Sequence, residues 1–86
     1  MEVIYAPKAV LDLKYWKKSG NRIIQKKIQE LILAIQESPY QGIGKPEELK
    51  YNLSGAWSRR INNEHRIVYE INERSEIVIL SVKGHY

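Results

Sequence analysis

Two alternating stretches, Trp57–Ile61 and His65–Ile71, restrict this chain more than any other feature. Each alternates large apolar with polar side chains, the period-two mark of a half-buried strand. Asn62-Asn63-Glu64 between them supplies turn formers, so the pair reads as a β-hairpin. Parity then selects the loop length. A three-residue loop pairs Ile61 with His65, sets Trp57 opposite Tyr69 and Arg59 opposite Ile67, and gathers Trp57, Ile61, Ile67, Tyr69 and Ile71 on one face. A two-residue loop mixes the apolar and polar sets, because one step of register turns every side chain over. The odd loop also sets Arg60 opposite Arg66 on the other face. Like charges placed so repel, which leaves two readings: both point into water, or they share an anion such as a phosphate.

The rest of the chain supplies the other elements. Glu2–Tyr5, with β-branched and aromatic residues, predicts a short strand. Pro7 suits a first helical turn, and Ala9, Leu13 and Trp16 make one stripe of a helix running from Lys8 to about Lys18. Gly20 closes that helix and Asn21 can cap the next. In the second helix Ile24, Ile28, Leu31 and Ile35 recur at helical spacing, widened by Ile32, while Arg22, Lys26 and Lys27 face outward. Ser38-Pro39 ends it. Tyr40–Lys50 reads as a loop, with one helical turn at Pro46–Leu49 in which Glu47 and Glu48 favour the helix dipole.

Beyond the hairpin, Asn72–Ser75 predicts a four-residue turn and Glu76–Lys83 a strand apolar on both faces. That turn pairs Ile71 with Glu76, Tyr69 with Val78 and Ile67 with Leu80. Val78, Leu80 and Val82 then join the apolar face, and Arg60, Arg66, Val68, Ser81, Lys83 and, if the strand continues, His85 share the other. A five-residue loop would exchange the faces of the last strand. The first strand fits most simply beside the last. The expected architecture is α+β, a single domain over residues 1–86, with two N-terminal helices packed on one face of a mainly antiparallel sheet.

Composition narrows the chemistry. Among 86 residues there is no cysteine, which removes disulfides and thiolate metal sites, and the two histidines, His65 and His85, share no metal-ligand spacing. No apolar run approaches a membrane span and the start is too short and polar for a signal peptide, so the cytoplasm is expected. The net charge of +4 permits polyanion binding without establishing it.

Cleavage at an RNA phosphate needs a base for the 2′-hydroxyl, an acid for the leaving 5′-oxygen, and cations for the pentavalent centre. It needs no metal or cofactor, because the nucleophile lies within the substrate. The chain offers Glu47 or Glu48 as base, His85 as acid, Arg60 and Arg66 as a clamp, Tyr86 to stack on a base, and Lys45, Lys50 and Lys83 for backbone phosphates. Bland readings stand beside these. A His-Tyr terminus is commonly a frayed tail, a basic helix face is commonly solvated, and His65 beside a turn reads as structural or exposed.

The run Asn52-Leu53-Ser54-Gly55-x-Trp57-Ser58-Arg59-Arg60-Ile61, followed by Glu64-His65-Arg66-Ile67-Val68-Tyr69, resembles the YoeB (Txe/YoeB) toxins of bacterial toxin–antitoxin systems, within the RelE superfamily. Gly42-x-Gly44-Lys45-Pro46-Glu47, Tyr15-Trp16, Lys26-Lys27-Ile28 and the terminal His85-Tyr86 match as well, so the resemblance spans essentially the whole chain. It implies a RelE-like fold and a ribosome-dependent endonuclease that cuts mRNA in the A site and arrests translation. By the same resemblance Glu47 matches the general base, His85 the general acid, Arg66 the transition-state arginine, Tyr86 the C-terminal tyrosine of the active site and Arg60 a supporting phosphate contact. It further implies a YefM-type antitoxin, operator DNA bound only through the toxin–antitoxin complex, and homodimers. The alternative is a non-catalytic, ParE-like binder that blocks the ribosome or a topoisomerase. Glu48, Tyr51 and Gly84 depart from the familiar pattern, standing where a neutral residue, a histidine and a larger residue are usual.

Overall fold

The computed structural model describes residues 1–50 and 53–84. In chain order the elements are β1 (Val3–Tyr5), α1 (Pro7–Ser19), α2 (Arg22–Glu37), β2 (Glu47–Glu48), β3 (Ala56–Arg60), β4 (Arg66–Ile71) and β5 (Ile77–Ser81). The strands form one sheet in the order β1-β5-β4-β3-β2. β1 runs parallel to β5, and the remaining pairs are antiparallel.

The helices follow from local signals. Pro7 opens α1, and Gly20 at φ 74° closes it with its N–H donating to the Lys17 carbonyl. The Asn21 side chain caps α2 by accepting from Ile24 N at 3.1 Å. Ile24, Ile28, Leu31 and Ile35 of α2 are buried, joined by Ala9 and Trp16 of α1. They pack against Ile61, Ile67, Tyr69, Ile77, Ile79 and Val82 from the sheet side. Burial of apolar surface at this interface is the main favourable contribution to folding.

The β3–β4 hairpin has the expected odd loop. Trp57 pairs with Tyr69, Arg59 with Ile67 and Arg60 with Arg66. Ile61 N donates to His65 O, and Asn62 Oδ1 accepts from the N–H groups of Glu64 and His65. Its parity carries one consequence beyond the apolar list. Arg59 shares the inward face and is completely buried.

Two expectations are corrected. Pro46–Leu49 is not a helical turn. Glu47 and Glu48 form the edge strand β2, pairing with Ser58 and Trp57. Flanking bonds lock it there: Arg60 N donates to Gly44 O at 2.7 Å and Leu49 N to Ala56 O at 2.9 Å. The edge of β3 offers these partners, which a lone helical turn could not supply, and two exposed carboxylates suit a sheet edge.

The β4–β5 register also differs by one residue. Ile71 pairs with Ile77, Glu70 with Val78 and Tyr69 with Ile79. The Asn72 side chain decides this, accepting from Arg74 N and Glu76 N while its amide donates to Glu76. Ser75 adopts φ 60° to complete the turn. Ile77 and Ile79, rather than Val78 and Leu80, therefore enter the core. A bulge follows: Val68 pairs with Ser81, so Leu80 is the additional residue on β5. It returns Ser81 to the face of Val68 and Val82 to the core, as expected for those two.

No carboxylate among the described residues pairs with Arg59. Its Nε donates to the Tyr69 hydroxyl at 3.1 Å, Nη1 to Ile43 O, and Nη2 to Ser38 O and Gln41 O. The Tyr69 hydroxyl donates in turn to Pro39 O at 2.6 Å. Replacing Tyr69 with Phe removes an acceptor from a buried cation and a donor from a buried carbonyl, and should lower unfolding free energy by about 1–3 kcal/mol in urea denaturation. Burial pushes the Tyr69 phenol above its ordinary 10.0, outweighing the lowering effect of Arg59. A raised folded value gives stability that is complete below pH 10.0 and lost as pH climbs through it. The gap between wild type and Tyr69→Phe should therefore close on the alkaline side of pH 10.0.

Gly44 is required where the loop crosses this region. It sits at φ 83°, and a Cβ there would lie 2.8 Å from Leu31 Cδ2 and 3.0 Å from Arg59 Cβ. Gly44→Ala should cost about 2 kcal/mol or more by the same measurement.

Candidate functional site

The candidate site lies at the β2 end of the sheet, on the face turned away from the helices. Alternation along β3 sends Trp57 and Arg59 inward, and sends Ser58 and Arg60 to this face. Pairing then aligns Glu47 with Ser58, and Arg60 with Arg66. The result is a carboxylate, a hydroxyl and two guanidinium groups on three adjacent strands.

Arg66 is the centre of this group. Its Nη1 donates to Ser58 Oγ at 3.3 Å and lies 3.5 Å from Glu47 Oε2. The Arg66 side chain is 19% exposed and Glu47 is 65% exposed. The stem of the arginine is thus held by the sheet while its partner carboxylate stands in water. An ion pair this open contributes little to stability, so an incoming phosphate can displace it at small cost. Ser58 is fully buried and fixes where Nη1 points.

Glu47, Ser58 and Arg66 line a solvent-open cavity of about 350 Å³, together with Glu48, Leu49, Lys50 and Leu53. Leu49 and Leu53 supply apolar wall against which a base or ribose could lie. The site pairs a proton acceptor with cations, and this suits a phosphodiester with a neighbouring hydroxyl.

Of the residues expected to act, Glu47, Lys50 and Arg66 meet in this cavity. Arg60 is exposed beside it, directly across the ladder from Arg66. Lys45 and Lys83 are not among its lining residues. Lys45 sits in the preceding loop at φ 52°, and Lys83 Nζ lies 4.2 Å from the Tyr15 ring centroid. His85 and Tyr86, with Tyr51 and Asn52, lie outside the described residues. Ser58, Leu49 and Leu53 were missed in the sequence. Ser58 could have been found there, because the hairpin parity that aligns Arg60 with Arg66 puts Ser58 on the same face.

His65 is structural, as expected. Its ring meets the Trp16 indole edge-on at 4.8 Å between centroids, and Nδ1 accepts from Gly84 N at 3.0 Å.

Comparison with known proteins identifies the family. Residues 5–86 match the model of the YoeB-like toxin of bacterial type II toxin–antitoxin systems. The chain is 45% identical to the toxin YoeB of Escherichia coli K12 over 86 residues, covering all of both chains. It superposes on a YoeB/ParE toxin from Agrobacterium tumefaciens with a TM-score of 0.94 at 32% identity, both chains fully covered. The toxin of a YoeB–YefM complex from Staphylococcus aureus matches with a TM-score of 0.88 at 45% identity, covering 100% of this chain and 98% of the other. With the family model matched over residues 5–86 and relatives matched over their full length, this chain belongs to the YoeB toxin family of bacterial type II toxin–antitoxin systems.

Proposed function

We propose that residues 1–86 act as one toxin domain, a metal-independent endonuclease that cuts mRNA in the ribosomal A site and so inhibits translation. The observation that carries this reading is the placement of Glu47 Oε2 3.5 Å from Arg66 Nη1 at the mouth of an open cavity lined by Lys50. Glu47 takes the proton of the 2′-hydroxyl. The resulting oxygen attacks the adjacent phosphorus, and Arg66 neutralises the charge that gathers on the pentavalent centre. His85 gives a proton to the departing 5′-oxygen, leaving a 2′,3′-cyclic phosphate and a free 5′-hydroxyl. Tyr86 stacks against the substrate, while Arg60, Lys45, Lys50 and Lys83 hold flanking phosphates.

Glu47 fits the base role because its Oε2 lies 3.5 Å from Arg66 Nη1 and it pairs with Ser58 on the face that Arg66 shares, whereas Glu48, which also lines the cavity, pairs with Trp57. The net charge of +4 supports engagement of an RNA-rich particle such as the bacterial ribosome. A YefM-type antitoxin is the proposed partner, supported by the YoeB–YefM complex from Staphylococcus aureus, and operator DNA would be reached only through that complex. A YoeB dimer from the same organism supports a homodimer here. The cytoplasm is the proposed compartment; no helix among the described residues is long and apolar enough to cross a membrane.

The test is cleavage on ribosomes programmed with a defined codon, read by primer extension. Glu47→Ala, Arg66→Ala and His85→Ala should each lower the cleavage rate by about a hundredfold or more while remaining folded. A 2′-deoxy residue at the scissile position should abolish cutting, and continued cleavage there would rule out the mechanism. Growth arrest by folded wild type without mRNA fragments, equal in His85→Ala, would favour the ParE-like blocking reading.

A further inference from the structure

β5 ends at Ser81, yet the next three residues are held by more than their neighbours in the sheet. Val82 N donates to Asp12 Oδ2 at 3.0 Å, and Trp16 Nε1 donates to Val82 O at 2.9 Å. Lys8 Nζ reaches Lys83 O at 3.4 Å and pairs with the same Asp12 oxygen at 2.8 Å. Gly84 is gripped at both ends: its N–H donates to His65 Nδ1 at 3.0 Å, and its carbonyl accepts from Arg66 N at 2.8 Å. Gly84 takes φ 93°, a conformation open to glycine and strained for other residues. Side chains of α1 and His65 thus continue the last strand after its backbone ladder has nearly run out.

We infer that His65 is a positioning residue that fixes Gly84, the residue before His85, relative to Arg66. This rests on the reading of His85 as general acid. The chain leaves Gly84 directly into His85, and Gly84 is bonded to two consecutive residues, His65 and Arg66. One glycine therefore ties the tail to the backbone of the arginine that meets the phosphate. The bond from Gly84 N requires a lone pair on Nδ1, which the tautomer with its proton on Nε2 supplies. Glu64 Oε2 lies on that side, 3.9 Å from Nε2. Trp16 fixes the ring plane while its indole N–H holds Val82, so one aromatic pair orients both tail anchors. His65 itself does not reach substrate: its Nδ1 is occupied, its ring is packed on Trp16, and its side chain is 18% exposed.

The tether is read first in the wild-type protein, without substitution. Imidazole nitrogen chemical shifts should show His65 as the Nε2-protonated tautomer, with the Gly84 amide protected from hydrogen exchange. A proton on Nδ1 or a freely exchanging Gly84 amide would overturn the inference. Two variants then separate positioning from packing. In His65→Asn the amide oxygen stands near the place of Nδ1 and keeps the acceptor. In His65→Gln the amide stands near Nε2 and the acceptor is lost. His65→Gln should lower the single-turnover cleavage rate on programmed ribosomes by about tenfold to a hundredfold, with the ribosome concentration for half-maximal rate unchanged. It should release the Gly84 amide while Ile67 and Tyr69 amides stay protected. His65→Asn should recover most of the rate. Equal rates in wild type and His65→Gln would overturn the positioning role. So would a loss in His65→Asn as large as that in His65→Gln. If wild type cuts no mRNA, the nuclease reading fails and takes the catalytic consequence with it, while tautomer and exchange still decide whether the tether exists.

Discussion

A buried guanidinium held by backbone carbonyls and a phenol is the constraint on which the rest of this structure depends. Arg59 has no exposed surface, and moving such a charge out of water is costly unless every N–H direction finds an acceptor. Here the acceptors are the carbonyls of Ser38, Gln41 and Ile43 and the Tyr69 hydroxyl. Three of the four belong to the loop that leaves α2, so satisfying the cation dictates the path of that loop. The same path brings Gly44 O to Arg60 N and lays Glu47 alongside Ser58. An interaction on the helix-facing side of β3 thereby fixes the carboxylate proposed as the base on the other side.

The two faces of the hairpin divide the labour. Trp57, Arg59, Ile61, Ile67 and Tyr69 face the helices, while Ser58 and Arg66 line the cavity and Arg60 shares their face. The period-two geometry of a strand ties these sets together. A slip of one residue would carry Arg66 into the core and Tyr69 into the site, so core burial itself protects the alignment of Arg60 with Arg66. This is how a chain of 86 residues holds a site without a separate scaffold.

The hairpin was legible in the sequence because both of its strands alternate and a single loop length reconciles them. The last strand was not, because Ile77–Val82 is apolar at almost every position and either register buries an acceptable set. The choice fell to hydrogen bonds of the Asn72 side chain, and the bulge at Leu80 then undid half of the difference. β2 was invisible for another reason. Glu47 and Glu48 have little strand preference, and their conformation comes from the open edge of β3. Arg59 shows the limit of reading by residue type, since parity placed it inward and only its charge argued otherwise. Of the site, spacing alone put Arg60 and Arg66 on one face. That Glu47 joins Arg66 came from family resemblance, because the loop linking them closes through tertiary bonds to Arg59.

The way the site is anchored explains how it keeps its charges. The ion pairs among the described residues are Lys8–Asp12, Arg66–Glu47 and the conditional His65–Glu64 contact. The loop before Glu47 is anchored by carbonyls on Arg59, and the segment before His85 by Asp12, Trp16 and His65 on backbone groups. Neither anchor draws on Lys50, Arg60 or the carboxylate of Glu47. Had Glu47 been needed to neutralise a buried cation, its proton affinity and its freedom to meet a ribose would both have been compromised. By satisfying Arg59 with backbone oxygens instead, the fold leaves a solvent-facing carboxylate opposite a sheet-held arginine, joined by a contact weak enough for a phosphate to replace.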